Sequence, residues 1–258
     1  METKENIQSL CDAFDAITLK EMDGVEFMNR TDTKFVFHQD QLIEILAKAK
    51  PFYRVLEVDN IRLAPYESVY FDTDNFEMYQ QHQRGKAGRY KVRSRKYCTN
   101  NLSFIEIKYK NNKGTTSKKR ISNSAFPLFN QNGDVFISKN TPYPGTELKP
   151  VISNNFKRIT LVDKNFRERI TLDTGIQFSA DGKSFKLENL AIAEVKRDKS
   201  ANNSQFVKLL KEFNIKPGGF SKYCFGVYLL HCPEHSQAMK IKYHEIKRLL
   251  ACGKVSVN

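Results

Sequence analysis

The sequence predicts a single α+β domain built around one large antiparallel sheet. Three observations lead there. Strand-like segments with a side-chain period of two accumulate from Arg89 onward. Helix-like segments with apolar stripes sit near both ends of the chain. No low-complexity linker and no internal repeat divides the 258 residues, so one domain spanning 1–258 fits.

Taken in order, Lys4 to Met22 reads as a helix whose apolar stripe is Ile7, Leu10, Cys11, Phe14, Ile17 and Leu19. Asn29 to Phe37 alternates like a strand. Asp40 to Lys48 is a second helix that buries Leu42, Ile43, Ile45 and Leu46. Glu67 to Phe71 is a short strand, and Phe76 to Gln83 a helical turn or helix. Strands follow at Arg89–Tyr97, Ser103–Lys110, Ser117–Ile121, Asn154–Val162, Arg167–Asp173 and Leu190–Lys196. Asn111 to Thr116 is a hairpin connection bending at Gly114. Ala125 to Thr146 is less regular, and the two prolines and glycine of Thr141 to Gly145 make a loop. Ser204 to Phe213 is a helix capped near Asn203 or Ser204. His235 to Leu250 is a basic C-terminal helix.

A composition 40% hydrophobic, with 19 Phe and 11 Tyr, supports a real core, and the formal charge of +13 asks for an anionic partner. Nucleic acid, phosphorylated metabolites, polyphosphate and a membrane surface all qualify. Five scattered cysteines without C-x-x-C spacing read as reduced thiols of a cytoplasmic protein. The N-terminus lacks the apolar core of a signal peptide, and no apolar run is long enough to cross a membrane. The histidines show no metal spacing and read as loop or surface residues.

The densest charge lies in GRYKVRSRKY, Gly88 to Tyr97. A strand here puts Arg89, Lys91, Arg93 and Arg95 on one face, with Tyr90 and Val92 on the other. Other strands repeat the pattern. Lys34 shares a face with Arg30 and Asp32, and Glu106 with Lys108 and Lys110. Lys118 aligns with Arg120, Arg158 with Phe156 and Thr160, Arg167 with Arg169 and Asp173, and Glu194 with Lys196. Any one such strand fits a half-solvated surface. The recurrence fits a sheet curled so that charged faces line a polar lumen while helices cover the apolar outside. Stacked guanidinium and ammonium groups suit phosphate oxygens.

Eight motifs then appear in order: R-x-x-x-K-F at Arg30, Y-F-D-T at Tyr70, R-x-R-x-Y at Arg93, F-I-E-I-K at Phe104, S-K-K-R at Ser117, R-x-R-I-T-L-D at Arg167, E-V-K at Glu194 and F-S-K-Y-C-F-G at Phe220. From Asn29 to Leu230 the chain resembles the catalytic domain of the vacuolar transporter chaperone complex. That domain is a polyphosphate polymerase of the triphosphate tunnel metalloenzyme superfamily. The resemblance implies an eight-stranded antiparallel tunnel over 29–230, with an N-terminal helical segment (1–28) and a C-terminal helix (231–258). It implies that Lys34, Arg93, Arg95, Lys108, Lys118, Arg158, Arg169 and Lys222 serve catalysis. Arg30, Arg84, Arg120, Arg167, Lys196 and Ser221 are expected to bind substrate, and Glu194 a divalent metal, Mn²⁺ or Mg²⁺. Phe156 stands where the eukaryotic polymerases carry a tyrosine. Arg89 and Lys91 match no family role.

The activity so implied passes the γ-phosphate of ATP to a growing polyphosphate chain and releases ADP, with positioning and charge neutralisation as the protein's contribution. The partners are ATP and inorganic polyphosphate, with no nucleic acid and with a separate integral-membrane protein that could hold the chain at the inner face of a membrane. Two alternatives stand beside it. Hydrolysis of triphosphate or polyphosphate would draw on Asp32 and Glu106, although the E-x-E-x-K run of the hydrolases is Arg30-x-Asp32-x-Lys34 here. A non-catalytic polyphosphate sensor would keep the tunnel without turnover.

Overall fold

A computed structural model describes residues 7–22, 30–113, 115–198 and 203–251. Its frame is an antiparallel path of eight strands, in the order β2-β11-β9-β8-β4-β5-β6-β7. These are β2 (Arg30–His38), β4 (Ala64–Asp72), β5 (Arg89–Tyr97), β6 (Leu102–Lys110), β7 (Thr116–Ser122), β8 (Lys149–Asp163), β9 (Glu168–Ala180) and β11 (Leu190–Asp198). Short strands attach at the sides: β1 (Ala16–Ile17) pairs with β3 (Tyr53–Leu56), β3 also with β8, and β10 (Lys183–Leu187) with β9. Among the described residues no ladder joins β2 to β7, so the sheet wraps a lumen without closing its hydrogen bonds. The wrapping is direct: side chains of all eight strands line one cavity.

Alternation decides what faces where. Outward-facing Phe35, Phe37, Ala191, Ala193, Val195, Ile170, Leu172, Ile159 and Leu161 form one core with α1 (Ile7–Asp12), α3 (Gln39–Ala49) and α6 (Gln205–Glu212). On the other flank, Val69, Phe71, Val92, Ile105 and Ile107 are covered by α4 (Glu77–Gln83), α5 (Gln131–Asn140) and Tyr143. At one end the inner face itself turns apolar, through Ile152, Phe156, Ile176, Phe178, Leu190 and Ile192. There α7 (Lys222–His231) packs, backed by α8 (Gln237–Ala251). Gly226 permits that approach: a Cβ would lie 2.6 Å from both Ile152 Cδ1 and Phe178 Cδ1.

Several elements depart from the sequence reading. The helix expected over Lys4 to Met22 is broken into α1, β1 and α2 (Leu19–Met22). Thr18 and Glu21 form a reciprocal capping box, Thr18 N to Glu21 Oε2 at 2.8 Å and Glu21 N to Thr18 Oγ1 at 3.3 Å, so a new helix starts there. The stripe residues Leu10, Cys11, Phe14 and Ile17 are buried nonetheless. The irregular stretch after Ala125 contains α5, capped by Asn130, and α7 and β10 add to the elements that the sequence pattern predicts. The expected bend at Gly114 and the ends of the chain lie outside the described residues. The four described cysteines are unpaired. No helix among the described residues is long and apolar enough to cross a membrane.

Candidate active site

The lumen is a cavity of about 650 Å³. Twelve lysines and arginines line it against four carboxylates, a formal excess of eight positive charges. The register explains the density. Across β5 and β6, Arg89 faces Lys110, Lys91 faces Lys108 and Arg93 faces Glu106; across β6 and β7, Lys108 faces Lys118. Like charges placed directly opposite repel, so this sheet gives up stability along its β5–β6–β7 rows.

Three carboxylates limit that cost, each held by two cations. Glu106, fully buried, accepts from Arg93 Nε at 2.7 Å, again from Arg93 Nη2, and meets Lys118. Asp173 is clasped bidentately by Arg158, Nε to Oδ1 at 2.6 Å and Nη2 to Oδ2 at 2.8 Å, and also accepts from Lys222. Glu194 accepts from its cross-strand neighbour Lys34 and lies 3.2 Å from Lys196 Nζ. The fourth carboxylate, Asp32, is also engaged. The electrostatics follow. Burial alone would raise Glu106, but Arg93, Arg95 and Lys118 hold it well below the usual carboxylate range; Arg158 and Lys222 do the same for the buried Asp173. Arg95 is pushed down to about 10 by burial and by Arg93. Lys108 is pushed down to about 6, first by Arg93 and then by burial, although its side chain meets the water of the lumen.

Aromatic rings pave the floor beneath the cations. Phe156 stacks on Tyr66 with ring centroids 5.3 Å apart, and Arg95, Arg158 and Lys222 lie over one or both rings, Lys222 Nζ at 4.4 Å. Tyr70 OH accepts from Arg93 Nη1 at 3.2 Å. The N-terminus of α7 delivers Ser221, Lys222 and Tyr223 to the lumen, and Asp72 fixes that helix. The buried Asp72 carboxylate accepts from Tyr223 OH and from the N–H groups of Met78 and Tyr79, each at 3.0 Å. The Asp of the Y-F-D-T motif is therefore a brace between α4 and α7.

Of the residues expected at the site, Lys34, Arg93, Arg95, Lys108, Lys118, Arg158, Arg169, Lys222, Lys196, Ser221 and Glu194 line this one cavity. Three of the expected substrate-binding residues do not. Arg84 is exposed at the end of α4, 3.4 Å from Gln80 Oε1. Arg120 is exposed on β7 and lies over the Phe104 ring. Arg167 precedes β9 and borders a separate cavity of about 260 Å³ near α6; the turn at Phe166, with φ of 58°, ends the strand alternation that would have turned it inward. The side chain of Arg30 lies outside the described ones. The lumen also holds residues that carried no expected role: Arg89, Lys91, Lys110, Tyr70, Asp173 and His82. Strand parity points to all of these except His82, which comes from α4. Its imidazole is pushed down to about 3 by burial and by Lys91, Arg89 and Lys110. His82 is thus a lumen residue, and His38 a buried cap of α3, rather than surface groups.

An antiparallel sheet wrapped around a cationic, carboxylate-buttressed lumen defines an anion-binding tunnel. A Bacillus halodurans protein provisionally assigned as an adenylate cyclase shares the fold, with a TM-score of 0.50 at 16% identity over 75% of this chain and 96% of that one. A Vibrio parahaemolyticus protein with the same provisional assignment reaches 0.46 at 12% identity, covering 76% and 96%. A Hippeastrum protein described as having a dominant triphosphatase activity reaches 0.45 at 14%, covering 77% and 95%. No curated protein matches the chain by sequence. The VTC domain family matches residues 29–135 and 137–231, and the chain belongs to that family.

Proposed function

We propose that this protein is a polyphosphate polymerase that moves the γ-phosphate of ATP onto the end of an inorganic polyphosphate chain in the lumen. The observation that carries this reading is the state of the carboxylates. Glu106, Asp173 and Glu194 are each held by two cations, and Asp32 is engaged as well. A hydrolase needs a base to orient and deprotonate water; Glu106 and Asp173, held far below the usual carboxylate range by their cations, are poor proton acceptors, and Glu194 is occupied by Lys34 and Lys196. A terminal phosphate of the acceptor is already an anion and needs no base. Arg93, Arg95, Arg158, Arg169, Lys34, Lys108, Lys118 and Lys222 supply neutralisation of donor, acceptor and leaving group, and Lys196 and Ser221 add contacts to the chain. Arg158 and Lys222, above the aromatic floor, hold phosphates in line for transfer.

The residues fit a metal of one kind. Among the described residues no three His, Cys, Asp or Glu side chains converge, which argues against a dedicated protein cage. A hard divalent cation accompanying the phosphates, Mn²⁺ or Mg²⁺, needs only one carboxylate from the protein, and Glu194 would be that ligand. Such an ion would supply charge neutralisation on the phosphates, and with Glu194 engaged by it Lys34 and Lys196 would be available to phosphate.

The test is direct. Incubated with ATP and Mn²⁺, the purified protein should release ADP and form long polyphosphate visible on a gel, and Arg158→Ala should abolish the polymer. Orthophosphate release without polymer would establish hydrolysis in its place. Tight polyphosphate binding without either product, with or without a membrane partner, would leave a sensor.

A further inference from the structure

One end of the lumen differs in kind from the rest. All three carboxylate clasps lie on the rows around Arg93–Glu106, Arg158–Asp173 and Lys34–Glu194. Where β5 begins and β6 ends, two consecutive cross-strand rows hold only basic side chains: Arg89 opposite Lys110, then Lys91 opposite Lys108. None of these four side chains pairs with a carboxylate among the described residues. Arg89 bonds the Lys86 carbonyl at 2.9 Å, and Lys91 donates to Ser221 Oγ at 3.0 Å beneath the Tyr223 ring. His82 closes the same corner from α4.

We infer that this acid-free end, formed by Arg89, Lys91 and Lys110, is a grip for the body of a linear polyphosphate chain, and that it makes the tunnel select for chain length. The inference rests on the polyphosphate reading above. The argument is one of spacing and of charge. Rows on one face of a strand are about 7 Å apart, too far for one phosphate group to neutralise both and within reach of successive phosphates of a chain. At the clasped rows an arriving phosphate must displace a carboxylate from its cations. At this end nothing need be displaced, so each added phosphate contributes its full attraction. The surroundings agree: Lys110 is exposed and Arg89 half-exposed, as at a mouth, while Lys91 is fixed by Ser221 beside Lys222, next to the clasped rows. The motifs shared with the family assign nothing to Arg89, Lys91 or Lys110.

The test compares two probes on one protein without turnover. Tripolyphosphate and a polyphosphate of about a hundred units are titrated calorimetrically into the wild type and into Arg89→Gln/Lys91→Gln/Lys110→Gln, over a range of salt. Long-chain affinity should fall at least about tenfold, with the salt slope shallower by about one for each cation removed. Tripolyphosphate affinity should fall by less than about threefold. The variant removes like-charge repulsion, so its melting temperature without anion should hold or rise; Arg89→Gln/Lys110→Gln, at the more exposed positions, is the second variant, and Lys91→Arg should bind as the wild type does. Equal losses for both probes, or no loss for either, would overturn the grip. Length selectivity in a protein that makes no polymer from ATP would sink the polymerase reading and leave this one standing.

Discussion

Glu106→Gln tests the electrostatic logic of the lumen most sharply. The carboxylate has no exposed surface, and its partner Arg93 keeps only 12% of its side chain exposed. Lys118 keeps 38% and is discounted as a largely solvated charge. The amide preserves shape and removes the charge, so a buried guanidinium loses its counter-ion, and breaking a buried pair from one side costs about 3–5 kcal/mol. At roughly 2–4 °C per kcal/mol for a chain of this size, the low end of that range lowers the melting temperature by about 6–12 °C. Added long-chain polyphosphate should then recover more for the variant than for the wild type, because phosphate can take the place Glu106 leaves. Thermal melts with and without polyphosphate read both effects. A variant that melts within about 2 °C of wild type, or a polyanion that stabilises both proteins equally, would refute the view that Glu106 stands in for substrate charge.

Further outcomes follow from the same geometry. Asp173 and Glu106 titrate below the unfolded values near 4, so the unfolded chain binds protons first as pH falls; their stabilisation is full above about pH 4 and fades below it, and Asp173→Asn should flatten that limb in acid denaturation curves. Lys108, at about 6, is mostly neutral at pH 7.5, and a bound polyanion returns its proton. Tripolyphosphate binding should therefore take up about one proton more in the wild type than in Lys108→Gln, read by calorimetry in buffers of different ionisation heat. Glu194→Gln should move the Mn²⁺ concentration for half-maximal polymer synthesis upward by about tenfold or more, and an unchanged metal requirement would remove Glu194 from that role.

The inward-facing charges were legible because strand alternation survives from sequence to structure: β5, β6 and β11 each keep one charged and one apolar face. Parity fails where strands stop, which is why Arg167, one residue before β9, points to another cavity. Helix α7 left no periodic signal because KYCFGVYLLH is apolar on nearly every side, as a buried helix must be. His82 had no local signature at all, since its place depends on how α4 docks onto β5. The break after α1 is written in Thr18-x-x-Glu21, but the apolar stripe runs through it to the buried Ile17 and masks it.

The paired carboxylates give the lumen the character of an ion exchanger whose resting counter-ions are covalently attached to the wall. At the clasped rows, loading is a trade of one anion for another. A small monovalent ion such as chloride, or a lone orthophosphate, gains little from that trade, because it can relieve one clasp at most. A chain of phosphates relieves several at once and keeps the attachment of each through the others. The tethered carboxylates thereby make the lumen selective against simple anions, and each carboxylate stands ready to retake its cations as a phosphate leaves.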